Sequence, residues 1–374
     1  MGVLEAEYAV IHGKIVEGFR APFKEDAWYR VVVVPGFSDG HAHPQVVDAG
    51  LEPGRKWMDS YDWLENRRLR VDEAKLRADK ALSSKLAKLV FLRSVLEGTT
   101  LIAVTGRLEA NVSAWLSLPE KPRVIFLPTV MDRPGWPGVA EVERAALKLA
   151  KMLEDGTARI GVFVHSLRTA RPETVRRALR LASRLGTLMG MHLSEGLREA
   201  SLLREVLGRG PYPATIVGVH CTEEEDLPPG VYCVSCPASN IVLYGRTRKS
   251  LSGVHNFGSD WPLLLGTVPR HLGVILGAFR GMLEEVLRRA TTGGYTTYGM
   301  PHQGDMVAYD DDLSKVLAGY SRPKLVAVAG RPVVMEGRTI VTGLTLRDVE
   351  AAIREAVREA IDVYPAVRAE ASSP

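Results

Sequence analysis

Eight short apolar runs punctuate this sequence, with helix-like spacing between many of them. The runs lie at 31–34, 100–104, 124–127, 160–164, 188–192, 215–220, 231–234 and 254–257. Each is almost continuously apolar rather than alternating, as expected of a strand buried on both faces. Apolar residues at helical spacing mark 73–96, 139–153 and 172–184, and a longer helical stretch, 269–289, follows the eighth run. Eight strand–helix units over roughly 250 residues are what a TIM (β/α)8 barrel requires. The competing architecture is a doubly wound open sheet. It normally carries a glycine-rich phosphate loop after its first strand, and none stands there in this chain.

The two ends have a different texture. Residues 5–34 hold a hairpin with His12-Gly13-Lys14 at its turn, then a third strand that includes the first apolar run. Residues 305–340 hold strand-like segments at 305–309, 325–329 and 333–335, with a turn at Gly330-Arg331. Neither set is long enough to stand alone as a sheet. They are expected to pair as one small composite β-sandwich domain, 1–34 plus 302–345, beside a barrel domain of 35–301. The tail, 346–374, opens on a helix with Leu346, Val349, Ile353, Val357 and Ile361 on one face. That face is expected to cover the barrel or a partner subunit, which leaves homo-oligomer formation open.

Composition excludes several classes. The 374 residues are 46% hydrophobic and 25% charged, with a net charge of +4. Charges are scattered, so no electrostatic footprint for a nucleic-acid polymer is expected. The N-terminus lacks a signal-peptide core and no uncharged run would span a bilayer. Only three cysteines occur, Cys221, Cys233 and Cys236. A low, odd count fits a reducing compartment and a cytoplasmic protein. Cys233-x-x-Cys236 has no second pair to complete a four-cysteine site and reads as buried small side chains.

The chemistry gathers at strand ends. His41 and His43 stand in Pro35-Gly36-Phe37-Ser38-Asp39-Gly40-His41-Ala42-His43, after the first apolar run. Residues two apart on a strand point to one side, and two imidazoles there suit Zn or Fe. Alone, His-x-His carries little information. His192 ends the fifth run, His220 the sixth, and Asp260 follows the eighth. At the C-terminal ends of barrel strands these groups would share one mouth.

On these motifs the chain resembles the amidohydrolase superfamily, in its mononuclear branch of deaminases and triazine hydrolases. The likeness runs from about residue 5 to 345. It rests on His41-x-His43, His192-x-x-Glu195, the segment from His220 to Glu225, the loop Cys236-Pro237-Ala238-Ser239-Asn240, Gly258-Ser259-Asp260 and Gly304-Asp305. The resemblance implies one divalent metal, zinc before iron, held by His41, His43, His192 and Asp260. It implies that Asp260 also takes a proton from water, that Glu195 shuttles a proton to the substrate, and that His220 polarises the reacting centre. Binuclear relatives carry a bridging lysine after the fourth strand; this chain has no lysine between Lys151 and Lys249. His165 stands there instead and is expected to contact substrate, although the surrounding Val164-His165-Ser166-Leu167-Arg168-Thr169 departs from the family's Pro-His-x-Pro-Tyr-Thr-like element.

The implied substrate is a small nitrogen heterocycle, and hydrolytic deamination is the favoured reaction. A cyclic-amide hydrolase resembling imidazolonepropionase is the alternative, and a catalytically silent scaffold the third reading. Trp57, Trp63, Arg107, Arg133, Trp136, Arg168 and Trp261 are the residues expected around the mouth. Trp57 and Trp63 read as packing for a loop helix, and Arg107 and Arg133 as surface residues that could also grip an anion.

Overall fold

The computed structural model describes residues 2–153 and 156–366. Its barrel strands run in parallel and in chain order: Phe37–Ala42, Thr99–Gly106, Arg123–Val130, Val162–Val164, Leu188–Leu193, Thr215–His220, Val231–Ser235 and Val254–Phe257. The short strand Ala158–Ile160 also pairs with Arg123–Val130 and precedes the fourth strand across Gly161. A Cβ at Gly161 would sit 2.8 Å from Leu127 Cδ2, so the close approach of the neighbouring strand requires glycine. The first and eighth strands close the barrel at their ends. His43 N donates to Asp260 O (2.7 Å) and Asp260 N to His41 O (2.9 Å).

Each apolar run works on two faces. Leu101, Ala103, Ile125 and Leu127 point into the barrel, where Phe163, Val217, Val219 and Val234 meet them. Their neighbours Ile102, Val104, Val124 and Phe126 point outward into the core shared with the helices. Burying a side chain of this kind contributes about 1.5–3 kcal/mol, so continuous apolar character is what a covered parallel sheet selects. Tyr295, Tyr298 and Met300 join the interior cluster from the segment after the last barrel helices.

The chain ends form one seven-stranded mixed sheet. Strands Gly2–Ile11 and Lys14–Phe23 make the hairpin, with His12 (φ 51°) and Gly13 (φ 90°) both left-handed at its two-residue turn. Ala27–Val34 lies parallel to the first of them and antiparallel to Met306–Tyr309, which joins the two ends of the chain. Leu325–Val328, Arg331–Met335 and Arg338–Thr339 continue the sheet. Buried Asp305 fastens it to the barrel by receiving Arg123 Nε (2.8 Å) and the Tyr295 hydroxyl (2.7 Å).

The apolar run 31–34 is therefore not a barrel strand. It lies within Ala27–Val34 of the small sheet, and Phe37–Ala42 takes the first barrel position. The reason is physical: this strand too is covered on both sides. Val31 and Val33 face the main core, whereas Tyr29 and Val32 face the small-sheet core. Other boundaries also shift. Residues 73–96 divide into helices Glu73–Ala78 and Lys80–Glu97, because Asp79 caps the second by accepting from Ala81 N and Leu82 N. The helix starting at Val139 stops at Ala150. Residues 269–289 fall into helices Val268–Ala278 and Leu283–Arg288. The hairpin turn sits at Ala329-Gly330 rather than Gly330-Arg331, since both residues have positive φ.

The terminal helix Leu346–Val363 starts at a capping box between Thr345 and Asp348. Its apolar face packs on helix Lys80–Glu97 of the same chain, where Lys85 also pairs with Glu359 (2.6 Å). Residues 367–374 of the expected tail lie outside the described residues. No described helix is long and apolar enough to cross a membrane.

Candidate metal centre and its pocket

The mouth lies where the barrel strands end, and the backbone there is forced into special shapes. Ser194 (φ 55°), His220 (φ 74°), Cys221 (φ 42°) and Asp260 (φ 65°) all adopt left-handed conformations. Such positions cost on the order of 1–3 kcal/mol for non-glycine residues and persist where surrounding structure holds them. Here they turn His220 and Asp260 into the cavity instead of letting the chain leave along the strand.

His41 and His43 project together from the end of the first strand, as their spacing predicts. Their Nε2 atoms lie 3.0 Å apart. His192 Nε2 lies 3.2 Å from that of His43 and 3.3 Å from that of His41. Asp260 Oδ1 lies 3.5 Å from both His41 Nε2 and His43 Nε2. The donor set can be tested against a metal from these distances alone. A tetrahedral ion with ligand bonds of about 2.0–2.1 Å requires ligand atoms separated by about 3.3 Å. The observed separations bracket that value, so the residues fit one divalent ion.

Protonation fits as well. Burial pushes the imidazoles of His41, His43 and His192 below their ordinary range, and neighbouring imidazoles push His43 and His192 further down. Neutral imidazoles keep the lone pairs that a metal needs. His43 is oriented through Nδ1, 2.8 Å from Thr105 Oγ1. His41 Nδ1 is buried without a hydrogen-bond partner, and its ring is held by packing on Phe163, 5.5 Å between centroids.

Two carboxyl groups in this cavity are driven apart. Burial would raise Asp260, but the imidazoles of His220, His41 and His43 outweigh it and hold its carboxyl well below the usual range. Burial raises Glu195, with Asp260 adding to the rise, against opposing contributions from His220 and from hydrogen bonds of Tyr244 and Ser60. Tyr244 Oη donates to Glu195 Oε1 at 2.6 Å, and His220 Nε2 stands 3.6 Å from the same oxygen. His220 is in turn fixed by Asn240 Oδ1, 2.9 Å from its Nδ1. Its Nε2 also falls in a second ligand-like group with His41 and His192.

His165 follows the fourth strand, lines the same cavity and packs edge-on to His192 (4.9 Å). Its Nδ1 lies 3.2 Å from Thr169 Oγ1. Burial, with Arg133, Arg77 and Arg67, pushes it down to about 3.

All seven sequence-singled residues thus meet in one place. Of the wider set, Trp63, Arg133, Trp136 and Trp261 line the cavity. Trp57 instead packs in a loop cluster with Ala49 and Leu243. Arg107 donates to Gly135 O (3.0 Å), and Arg168 lies over the Tyr61 ring (4.9 Å). The cysteines are free and buried, as read. Residues 237–244, expected in part as a loop, form helix Pro237–Tyr244, whose last residue reaches Glu195.

Sequence reasoning missed Tyr244, Thr105, Arg67 and Arg77. Thr105 had a readable signal, a polar residue at the end of an apolar strand. Tyr244 sits one helical turn beyond Asn240, which the motif contained.

No family model matches the sequence, and no curated protein does. Solved structures do match. A zinc complex of atrazine chlorohydrolase from Arthrobacter aurescens TC1 is 17% identical with a TM-score of 0.73, covering 96% of this chain and 100% of that one. An amidohydrolase from Brucella melitensis is 17% identical with a TM-score of 0.74, over 96% and 100%. An adenosine deaminase from Xanthomonas campestris with bound zinc gives 17% and 0.74, over 97% and 98%. The fold of this chain is therefore the barrel with a composite β-domain that these solved hydrolase and deaminase structures share.

Proposed function

We propose that the chain is an amidohydrolase-superfamily, metal-dependent hydrolase that deaminates a small nitrogen heterocycle. The observation that carries this reading is the convergence of His41, His43, His192 and Asp260 at tetrahedral spacing beside a buried, raised carboxyl group, Glu195. The likeness to zinc-bearing hydrolase and deaminase structures supports it. When bound, a divalent ion supplies a water whose pKa is lowered toward about 7.

The chain's own groups then divide the proton work. Asp260, held ionised, accepts the proton of the attacking water. Glu195, held protonated by burial, gives its proton to the ring nitrogen next to the reacting carbon. The water oxygen bonds to that carbon, the exocyclic C–N bond breaks, and ammonia leaves with the proton relayed by Glu195. A pair of carboxyl groups with opposite pKa shifts is suited to such complementary roles. His220, fixed by Asn240, is placed to donate to the developing oxygen. His165 lines the cavity as a substrate contact.

The test is product analysis on a panel of amidine-bearing heterocycles and cyclic amides, with zinc- and iron-loaded protein. Deamination predicts stoichiometric ammonia and a ring left closed, abolished by Glu195→Gln. A ring-opened acid without free ammonia rejects it and promotes the cyclic-amide alternative. No metal-dependent turnover of either class argues for the scaffold reading.

A further inference from the structure

Three guanidinium groups from separate segments line the metal-site cavity: Arg67 at the end of helix Ser60–Asn66, Arg77 in helix Glu73–Ala78, and Arg133 after the third barrel strand. Resting on the hydrolase reading above, we propose that the substrate carries an anionic substituent, a carboxylate or a phosphate, held by these three arginines on the cavity wall.

The first argument is charge. Arg67 and Arg77 are largely buried, with 11% and 21% of their side chains exposed, yet they share one carboxylate oxygen. Arg67 Nη2 donates to Glu73 Oε2 at 2.7 Å and Arg77 Nη1 to the same oxygen at 3.4 Å. A guanidinium offers five N–H donors in a planar fork, so most donors of both groups stay free for the cavity. Among the described residues no ion pair involves Arg133. Three positive groups therefore face one negative group, in a cavity where desolvated charge is expensive unless it is paired.

The second argument is rigidity. Arg67 lies over the Trp63 ring (4.4 Å) and Arg77 over Trp136 (4.5 Å). Both indoles belong to the same cavity. Stacking fixes the two heads before a ligand arrives, which suits bidentate recognition of a planar oxyanion. Surface arginines without a role have no reason to be held in this way.

The third argument is size. The cavity is about 190 Å3, below the roughly 300–1,000 Å3 of drug-sized ligand pockets. It suits a compact ring with a single substituent, reacting at the metal end and gripped at the arginine end.

The test is calorimetric titration of the zinc-loaded and the metal-free protein with three matched pyridines: nicotinate, nicotinamide and 3-pyridylmethyl phosphate. Using the metal-free protein removes direct coordination of a carboxylate to zinc. At least one oxyanion should bind about tenfold or more tightly than nicotinamide in both forms, and the tighter of the two names the substituent. Arg133→Gln, at an exposed position, should erase most of that preference, as should Arg77→Gln. If Arg77→Gln does not fold, Arg133→Gln decides alone. Turnover is not read here, so loss of hydrolysis and loss of anion preference are separate results. Nicotinamide binding as tightly as both oxyanions, no oxyanion binding at all, or a preference unchanged in the variants overturns the inference.

Discussion

Strands Ala27–Val34 and Phe37–Ala42 follow each other in the chain, and both are largely buried, but they are buried on opposite terms. The first has Val31, Val32 and Val33 in contact with apolar cores on its two faces. The second buries Ser38, Asp39 and His41. Packing alone holds the first. The second depends on hydrogen bonds: Asp39 Oδ1 accepts from Ser259 N (2.9 Å) and His41 N (3.3 Å), and Ser38 Oγ donates to Asn256 Oδ1 (3.2 Å). Buried polar groups cost free energy even when paired. The difference teaches that one strand is built for stability, whereas the other carries a site at a cost in stability.

The largest expected effect lies on the polar side of this contrast. Glu195→Gln should lower kcat by about 10²–10⁴-fold, the usual reach of general acid–base catalysis, while the thermal midpoint changes little. Steady-state kinetics beside calorimetric melting checks it, and an equal loss of folded protein would collapse the distinction. On the apolar side, Val32→Ala should cost roughly 1.5–3 kcal/mol in stability and leave KM and metal content alone. Chemical denaturation followed by assay of the folded fraction reads both quantities.

Asn240→Ala probes the boundary between the two regimes, since Asn240 touches His220 and not the reacting groups. Removing such an orienting partner typically costs about 10–100-fold in activity or metal affinity, and Asn240→Asp should restore part of it by keeping the acceptor oxygen. A rate unchanged in the alanine variant would make this contact purely structural.

The smallest effect concerns Asp39. Burial raises its carboxyl to about 7, against hydrogen bonds from Ser259 and His41 that lower it. Its unfolded value is about 3.9, so the folded state binds the extra proton, and stability from this group falls as pH rises through about 7. In metal-free protein, Asp39→Asn should match the parent near pH 5 and melt a few degrees higher near pH 8. A gap that does not widen with pH would show that Asp39 is not the titrating group.

Much of the site was legible because barrel chemistry concentrates at strand ends. His41 and His43 were found from their spacing, and His192, His220 and Asp260 from their positions after apolar runs. The run at 31–34 misled for a related reason. Continuous apolar character reports burial on both faces, and the small sheet meets that condition as fully as the barrel does. Tyr244 reaches Glu195 only after helix Pro237–Tyr244 turns back over the mouth. Arg67 and Arg77 sit in a polar stretch that reads as a solvated helix face, and only its folding over the cavity gives them a purpose. Local periodicity carries no trace of that long-range arrangement.

The central claim is that the polar strand and its partners hold a single catalytic ion, and metal content tests it most directly. Elemental analysis of protein purified with zinc should find about one ion per chain. His192→Ala should lose that ion, because His192 supplies one of the four converging ligand atoms. Glu195→Gln should keep it, because Glu195 contacts Tyr244 and His220 instead. Two tightly bound ions per chain, or equal loss of metal in both variants, would contradict the account.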